Sequence, residues 1–359
     1  MTQKLTPKSV PIYGGKPIPY SLKPVILTKE ASLFIETSLT EILKQVEDFT
    51  TQALKDKKTL VQLGLPGDLD PRPTPLGLHI PFARFDFLFD GTNLNIIELN
   101  TDGTSGYNTT EWVAEAAGLK PEENPNHGLS DKLLDALLEH KPQAKEVVLA
   151  DFPHLNTSWE QDDLIERWKQ RISCHRADPK LKSWKNNAII YRRVLSWQLR
   201  SQPARAKAML DDWKAQNVTT LGGWSSDVGM SKAWPSFVKP KHCPETQIID
   251  MNLVKKMQNE KEKWVLKGAL SFSGQSVIRG IDLPDDRWKN CLLQVLAETE
   301  AKRPWIAQQR INLPLYEDKP TEYGMFFLNG KPSGYMCRWG HSEVLSDTST
   351  EVFRAVKIV

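Results

Sequence analysis

No stretch of this chain approaches the roughly 18 consecutive apolar residues that a membrane-spanning helix needs. Its first residues, MTQKLTPKSV, lack the apolar core of a secretory signal. Cysteine is scarce. Cys174, Cys243, Cys291 and Cys337 lie far apart, which argues against both a disulfide framework and a zinc cluster. The seven histidines form no HExxH or comparable metal spacing. There is no long block of like charge, and a net charge of +3 over 359 residues is no nucleic-acid footprint. A Gly-x-Ser-x-Gly elbow, a Walker A loop, an internal repeat and a low-complexity tract are also missing. What remains is an ordinary globular composition, 40% hydrophobic and 25% charged, long enough for one large or two modest domains. A reducing cytoplasm is the expected compartment, with neither nucleic acid nor membrane as partner.

The most informative stretch is 82–106, FARFDFLFDGTNLNIIELNTDGTSG. From Arg84 to Phe89 polar and apolar residues alternate, the period of a half-buried strand. Asp90-Gly91-Thr92-Asn93 is turn chemistry, and Leu94 to Asn100 reads as a second strand. A hairpin centred on Thr92 sets Asp86 opposite Glu98 and Arg84 opposite Asn100, with Cβ atoms about 4.5–5.5 Å apart. Two facing carboxylates repel unless a cation lies between them. Oxygen ligands of this kind suit Mg²⁺ with substrate phosphates, and the arginine alongside suits a phosphate. The same pattern also fits a plain amphipathic hairpin with a solvated charged face. The loop that follows, Asn100 to Gly106, favours a site, because its glycines let backbone amides face a ligand.

Along the rest of the chain, residues 1–27 read as an arm over the body, and 29–56 as one or two amphipathic helices. Helices are predicted at 109–118, 130–140 with Ser130 as cap, 157–171, 202–215, 251–259 and 285–299. Strands are predicted at 147–150, 187–192 and 218–221, and this strand–helix series indicates a parallel α/β layer. Further strands fall at 264–267, 277–278, 305–308, 323–328 and 333–339. Lys267 ends a strand before the Ser/Gly loop 271–276, where a lysine can reach phosphates while loop amides cover them; a surface lysine beside a turn is the plain alternative. Lys232 lies in a Ser/Asp/Gly-rich loop and Arg338 on a late strand. Cys174 and His175 are neighbours in a predicted loop, where adjacent side chains point apart, against thiol catalysis.

Taken together and in this order, the pieces resemble the circularly permuted ATP-grasp enzymes, most closely the synthetase domain of glutathionylspermidine synthase. The Arg-x-Asp-Phe and Glu-x-Asn-x-Asp pattern is matched by Arg84, Asp86, Phe87, Glu98, Asn100 and Asp102. Ser231-Lys232-Ala233, the strand lysine Lys267, the hinge strand ending at Gln308 before Leu313-Pro314, and Gly334, Arg338 and Gly340 follow in family order. The nucleotide loop departs from the pattern, with Lys267-Gly268 in place of Lys-Pro and only Gly274 within 271–276.

The resemblance implies an α/β, ATP-grasp-like fold with a parallel pre-ATP-grasp layer. Residues 1–225 would carry the hairpin and that layer, and 226–359 the nucleotide lobe. It implies a Mg²⁺-dependent ligase that uses ATP to join small-molecule carboxylate and amine substrates, oligomeric state left open. Asp86, Glu98 and Asn100 would hold Mg²⁺; Lys232, Lys267, Ser273, Gly274 and Gln308 would hold ATP. Arg84 and Arg338 would be catalytic, and Asp102, Thr104 and Ser105 would meet substrate. A non-catalytic ATP- or metabolite-binding protein of the same fold is the alternative.

Overall fold

The computed structural model describes residues 10–101, 103–151, 158–178, 187–194, 219–221, 223–271, 276–340 and 351–359. Asp102, Ser273 and Gly274, the first residue of the helix predicted at 157–171, the predicted helix 202–215 and the start of the strand predicted at 218 lie outside them.

Among the described residues the largest sheet is built on the hairpin. Its strands are β1 (Tyr20–Leu27), β2 (Phe82–Phe89), β3 (Leu94–Thr101) and three late ones, Lys319–Leu328, Lys331–Trp339 and Val352–Ile358. From edge to edge the order is β1, 352–358, 331–339, 319–328, β2, β3, antiparallel throughout except where 352–358 runs parallel to β1. The sheet thus takes strands from either side of residue 225. Strands 319–328 and 331–339 meet at Asn329-Gly330, both at positive φ, the residue pair that a tight primed turn requires.

Phe85, Phe87 and Phe89 on one face pack against helix Lys29–Ala53, whose Ile35, Leu39, Ile42, Leu43 and Val46 form its apolar stripe. Thr28 caps that helix through its side chain, which accepts from the Ala31 amide at 3.2 Å. On the opposite face Phe82, Phe326 and Met336 pack against helices Tyr107–Ala116 and Leu129–Glu139. The second of these starts after Gly128, so Ser130 is no cap; its hydroxyl bonds to Glu111.

A four-stranded parallel sheet in the order 173–177, 146–150, 188–192, 219–221 flanks this core. A separate antiparallel sheet in the order 246–248, 305–309, 264–268, 277–279 is backed by helices Met251–Met257 and Asp285–Glu300.

Besides the two-residue strands Ile12–Tyr13, Lys16–Pro17 and Leu315–Tyr316, four strands run against the sequence expectations. Tyr20–Leu27 is no loose arm: Pro24 hides a strand, and proline is tolerated there because the strand is a sheet edge. Ser173–Ala177 and Thr246–Ile248 are short, polar and at edges, so neither carries an alternating apolar signal. Val352–Ile358, beyond the last predicted strand, lies inside the large sheet and links β1 to strand 331–339.

Candidate active site

The register within the hairpin sets Arg84 opposite Asn100 and Asp86 opposite Glu98. Nearer the turn, Phe87 pairs with Ile96 and Phe89 with Leu94, so one extra residue, Ile97, is inserted as a bulge. The bulge changes the alternation of the strand. Leu94, Ile96, Leu99 and Thr101 are buried, while Glu98 and Asn100 face the open side with Arg84 and Asp86.

On that face the two carboxylates take different partners. Asp86 accepts from Arg84 Nε at 2.5 Å and Nη2 at 2.8 Å, and from the Asn100 amide at 3.0 Å. Arg84 Nη1 reaches the Ser105 carbonyl at 2.8 Å, so each of its three nitrogens is held. Gly324 lies opposite Asp86 on the neighbouring strand; a Cβ there would come within 3.0 Å of Arg84 and 3.2 Å of Asp86. The missing side chain is the space that the pair fills.

Arg338 sits 3.8 Å from Asp86 and is clamped by two carboxylates that the sequence did not single out. It donates to Glu322 from the facing strand and to Glu351 at 3.0 Å. Burial, with Asp86 and Glu351 nearby, outweighs Arg338 and raises the Glu322 carboxyl to about 7. Glu322 was hard to find: a bulge between Phe326 and Phe327 shifts the hairpin register, so a strict count from Asn329-Gly330 aligns Glu322 with Cys337 instead.

Glu98 turns to the small sheet. Its Oε1 lies 3.0 Å from Lys232 Nζ, with the lysine side chain 6% and the glutamate 28% exposed. Lys232 Nζ also donates to the Ser271 carbonyl at 2.5 Å. Lys267 is half-buried nearby, donating to Gln308 Oε1 at 2.8 Å and to the carbonyl of the bulge residue Ile97 at 3.2 Å. Burial lowers its ammonium to about 8; Glu98 works against that shift and Lys232 adds to it. Gln308 in turn donates to Thr246 Oγ1 at 3.2 Å. Between the large and small sheets, Lys232 thus pairs with Glu98, and Lys267 lies near enough to feel its charge.

The loop after β3 spends its backbone on the protein itself. The Thr104 carbonyl accepts from Arg193 at 3.0 Å, and the Gly106 amide donates to Glu160 at 2.5 Å. Gly106 stands at φ +107, a conformation that L side chains rarely adopt. The Thr104 hydroxyl bonds to Tyr107 at 2.8 Å. Arg193 and Glu160 come from the parallel layer, and no local pattern marks them. Cys174 and His175 lie on a strand, not a loop, and burial pushes the Cys174 thiol up to about 12, away from thiolate chemistry.

Among the described residues no three His, Cys, Asp or Glu side chains converge as metal ligands. Mg²⁺ commonly takes one or two protein oxygens and completes its shell with phosphates and water. Glu98 and Asn100, neighbours on one strand face beside the two lysines, fit that requirement. Asp86 is committed to Arg84. The lysine pair fits a polyphosphate, with Glu98 standing where an anion would.

No protein-family model matches the chain, and no curated protein matches it in sequence. Solved structures do. A glutathione synthetase-like effector from Globodera pallida, in its apo form, aligns at a TM-score of 0.58 and 16% identity, covering 98% of this chain and 93% of its own. The two chains share a fold. The mixed α/β architecture with several sheets is thus similar to ATP-grasp-like synthetase folds. A putative gamma-glutamylcysteine synthetase from Methylobacillus flagellatus aligns at a TM-score of 0.43 and 9% identity, with 92% of this chain and 87% of its own covered. A D-cycloserine synthetase aligns at 0.41 and 11%, covering 58% and 71%. Both are too loose for a comparison of sites, and none of the three is a glutathionylspermidine synthase.

Proposed function

We propose that this chain is an ATP-dependent ligase that joins a carboxylate to an amine through an acyl-phosphate. The observation that carries the proposal is the Lys232–Glu98 pair with Lys267 close by, between the large and small sheets. The shared fold with a glutathione synthetase-like protein supports it. The hairpin precedes the small sheet in the chain and strands 319–339 follow it, an order that supports reading the chain as a permuted ATP-grasp fold with the parallel sheet as a pre-ATP-grasp layer.

In this proposal Lys232 and Lys267 hold the phosphates, and strand Trp305–Gln309 lies along the adenine while Gln308 orients Lys267. Glu98 and Asn100 hold Mg²⁺, which supplies positive charge to the phosphate oxygens, and Asp86 serves by locking Arg84. Contacts to Asp86 and Ser105 hold the Arg84 guanidinium and leave an N–H on each Nη, so it is preorganised to meet developing charge on the transferred group. Arg338, clamped by Glu322 and Glu351, adds a second fixed positive charge nearby. No side-chain nucleophile is required. Small carboxylates and amines are the substrates, and the loop of Thr104 and Ser105, anchored by Arg193 and Glu160, borders the place where they would lie.

The test is ADP and phosphate release by purified protein with ATP, Mg²⁺ and a panel of amino acids, short peptides and polyamines. Turnover with one carboxylate–amine pair is expected. ATP binding without turnover across the panel would favour the non-catalytic nucleotide binder, and no ATP binding would end both accounts.

A further inference from the structure

We propose that Glu98 is a built-in counter-ion for the phosphate site, so that nucleotide and divalent cation must load together. This rests on the ATP-binding proposal above and adds to it a rule of loading.

Without ligand, two ammoniums lie near one another, the Lys232 side chain 6% exposed and Lys267 half-buried. Among the described residues Glu98 is the carboxylate within ion-pair distance of Lys232, and it also favours the charged form of Lys267. Asp86 cannot take this part, since Arg84 and Asn100 occupy its oxygens. Glu98 therefore occupies the position of a phosphate. Entry of a polyphosphate must displace it from Lys232. The released carboxylate then faces phosphate oxygens of like charge, in a part-buried setting where charges are weakly screened. A divalent cation between them turns that repulsion into two attractions. Nucleotide binding thus creates the metal site, because it frees Glu98, and metal binding removes the obstacle to the nucleotide. Coupling of this kind is reciprocal.

The arrangement makes two predictions of gain, which simple loss of a site residue does not. Glu98→Gln removes the opposing charge but keeps the shape, so it should bind ATP in EDTA tighter than wild type by about tenfold or more. Added Mg²⁺ should then improve ATP affinity in wild type far more than in the variant. Lys232→Met should free Glu98 in the empty site, so Mn²⁺ without nucleotide should bind this variant more tightly than wild type.

Calorimetry with ATP in EDTA and in Mg²⁺, and paramagnetic resonance of Mn²⁺ without nucleotide, read these effects on full-length folded protein. Thermal melts check that each variant is native, and the two arms rest on different variants, so poor folding of one leaves the other. Metal-free ATP affinity of Glu98→Gln equal to or below that of wild type overturns the counter-ion role, as does unchanged Mn²⁺ affinity in Lys232→Met. If wild type binds ATP while these gains are absent, the loading rule alone fails. If no protein binds ATP under any condition, the ATP-binding proposal fails with it.

Discussion

Deleting the carboxylate of Asp86 tests whether it is a partner of Arg84 or one of two crowded acids. The side chains of Arg84 and Asp86 are 11% and 6% exposed, so water cannot replace what Asp86→Ala removes. Breaking a buried pair by removing one partner costs about 3–5 kcal/mol, because the surviving charge stays buried and uncompensated. Asn100 loses its acceptor as well. With about 2.1 cal/mol/K of unfolding entropy per residue, 359 residues give about 0.75 kcal/mol/K for unfolding as one unit. The melting temperature should therefore drop by about 4–7 °C. The assay is scanning calorimetry in EDTA, without nucleotide. Arg84→Met/Asp86→Ala should regain part of the loss, since neither charge is then left alone. Two crowded carboxylates predict the opposite sign, a rise when one is removed. An unchanged or higher melting temperature for Asp86→Ala would refute the ion-pair account.

A lysine titrating near 8 in the free protein must take up a proton when phosphates restore its charge. ATP affinity should accordingly fall as pH rises from 7 to 9, approaching about tenfold per pH unit above 8, and Lys267→Met should lack this dependence in calorimetric titrations. Gly324→Ala puts a methyl within 3.0 Å of Arg84 and 3.1 Å of Met336; it should cost about 1–3 kcal/mol in thermal melts and lower turnover with it. Arg84→Lys keeps the charge but loses the planar fork, so ATP affinity by calorimetry should hold within a few fold while ADP release drops about 10²-fold. Turnover equal to wild type would show that the fixed geometry around Arg84 has no catalytic use.

Much of the hairpin was legible because its signal is local. Alternation in Arg84–Phe89 follows from neighbouring residues pointing to opposite faces, and Asp90–Asn93 carries turn chemistry of its own. The pairing of Asp86 with Glu98 followed from counting, although the turn and the bulge each shift the register by one and their errors cancel. The apolar spacing at 94, 96, 97 and 99 holds the trace of that bulge, since Leu99 and not Glu98 resumes the buried side. Strands such as Ser173–Ala177 left no such trace, because edge strands bury little and need no apolar period.

By itself, then, the sequence determined the two strands of the hairpin, which of their residues share a face, and that Arg84, Asp86, Glu98 and Asn100 form one patch. Only the tertiary structure decided who pairs with whom inside that patch. Asp86 and Glu98 stand directly opposite each other, yet one is bound to Arg84 and the other to Lys232. Backbone register is set by short-range sterics and hydrogen bonds, which the sequence displays. The partner of a charge is set by what else is buried near it. Here that means a lysine delivered by a distant loop, a small sheet closing over Ile97, and two glutamates clamping Arg338. None of these is written near the hairpin in the chain.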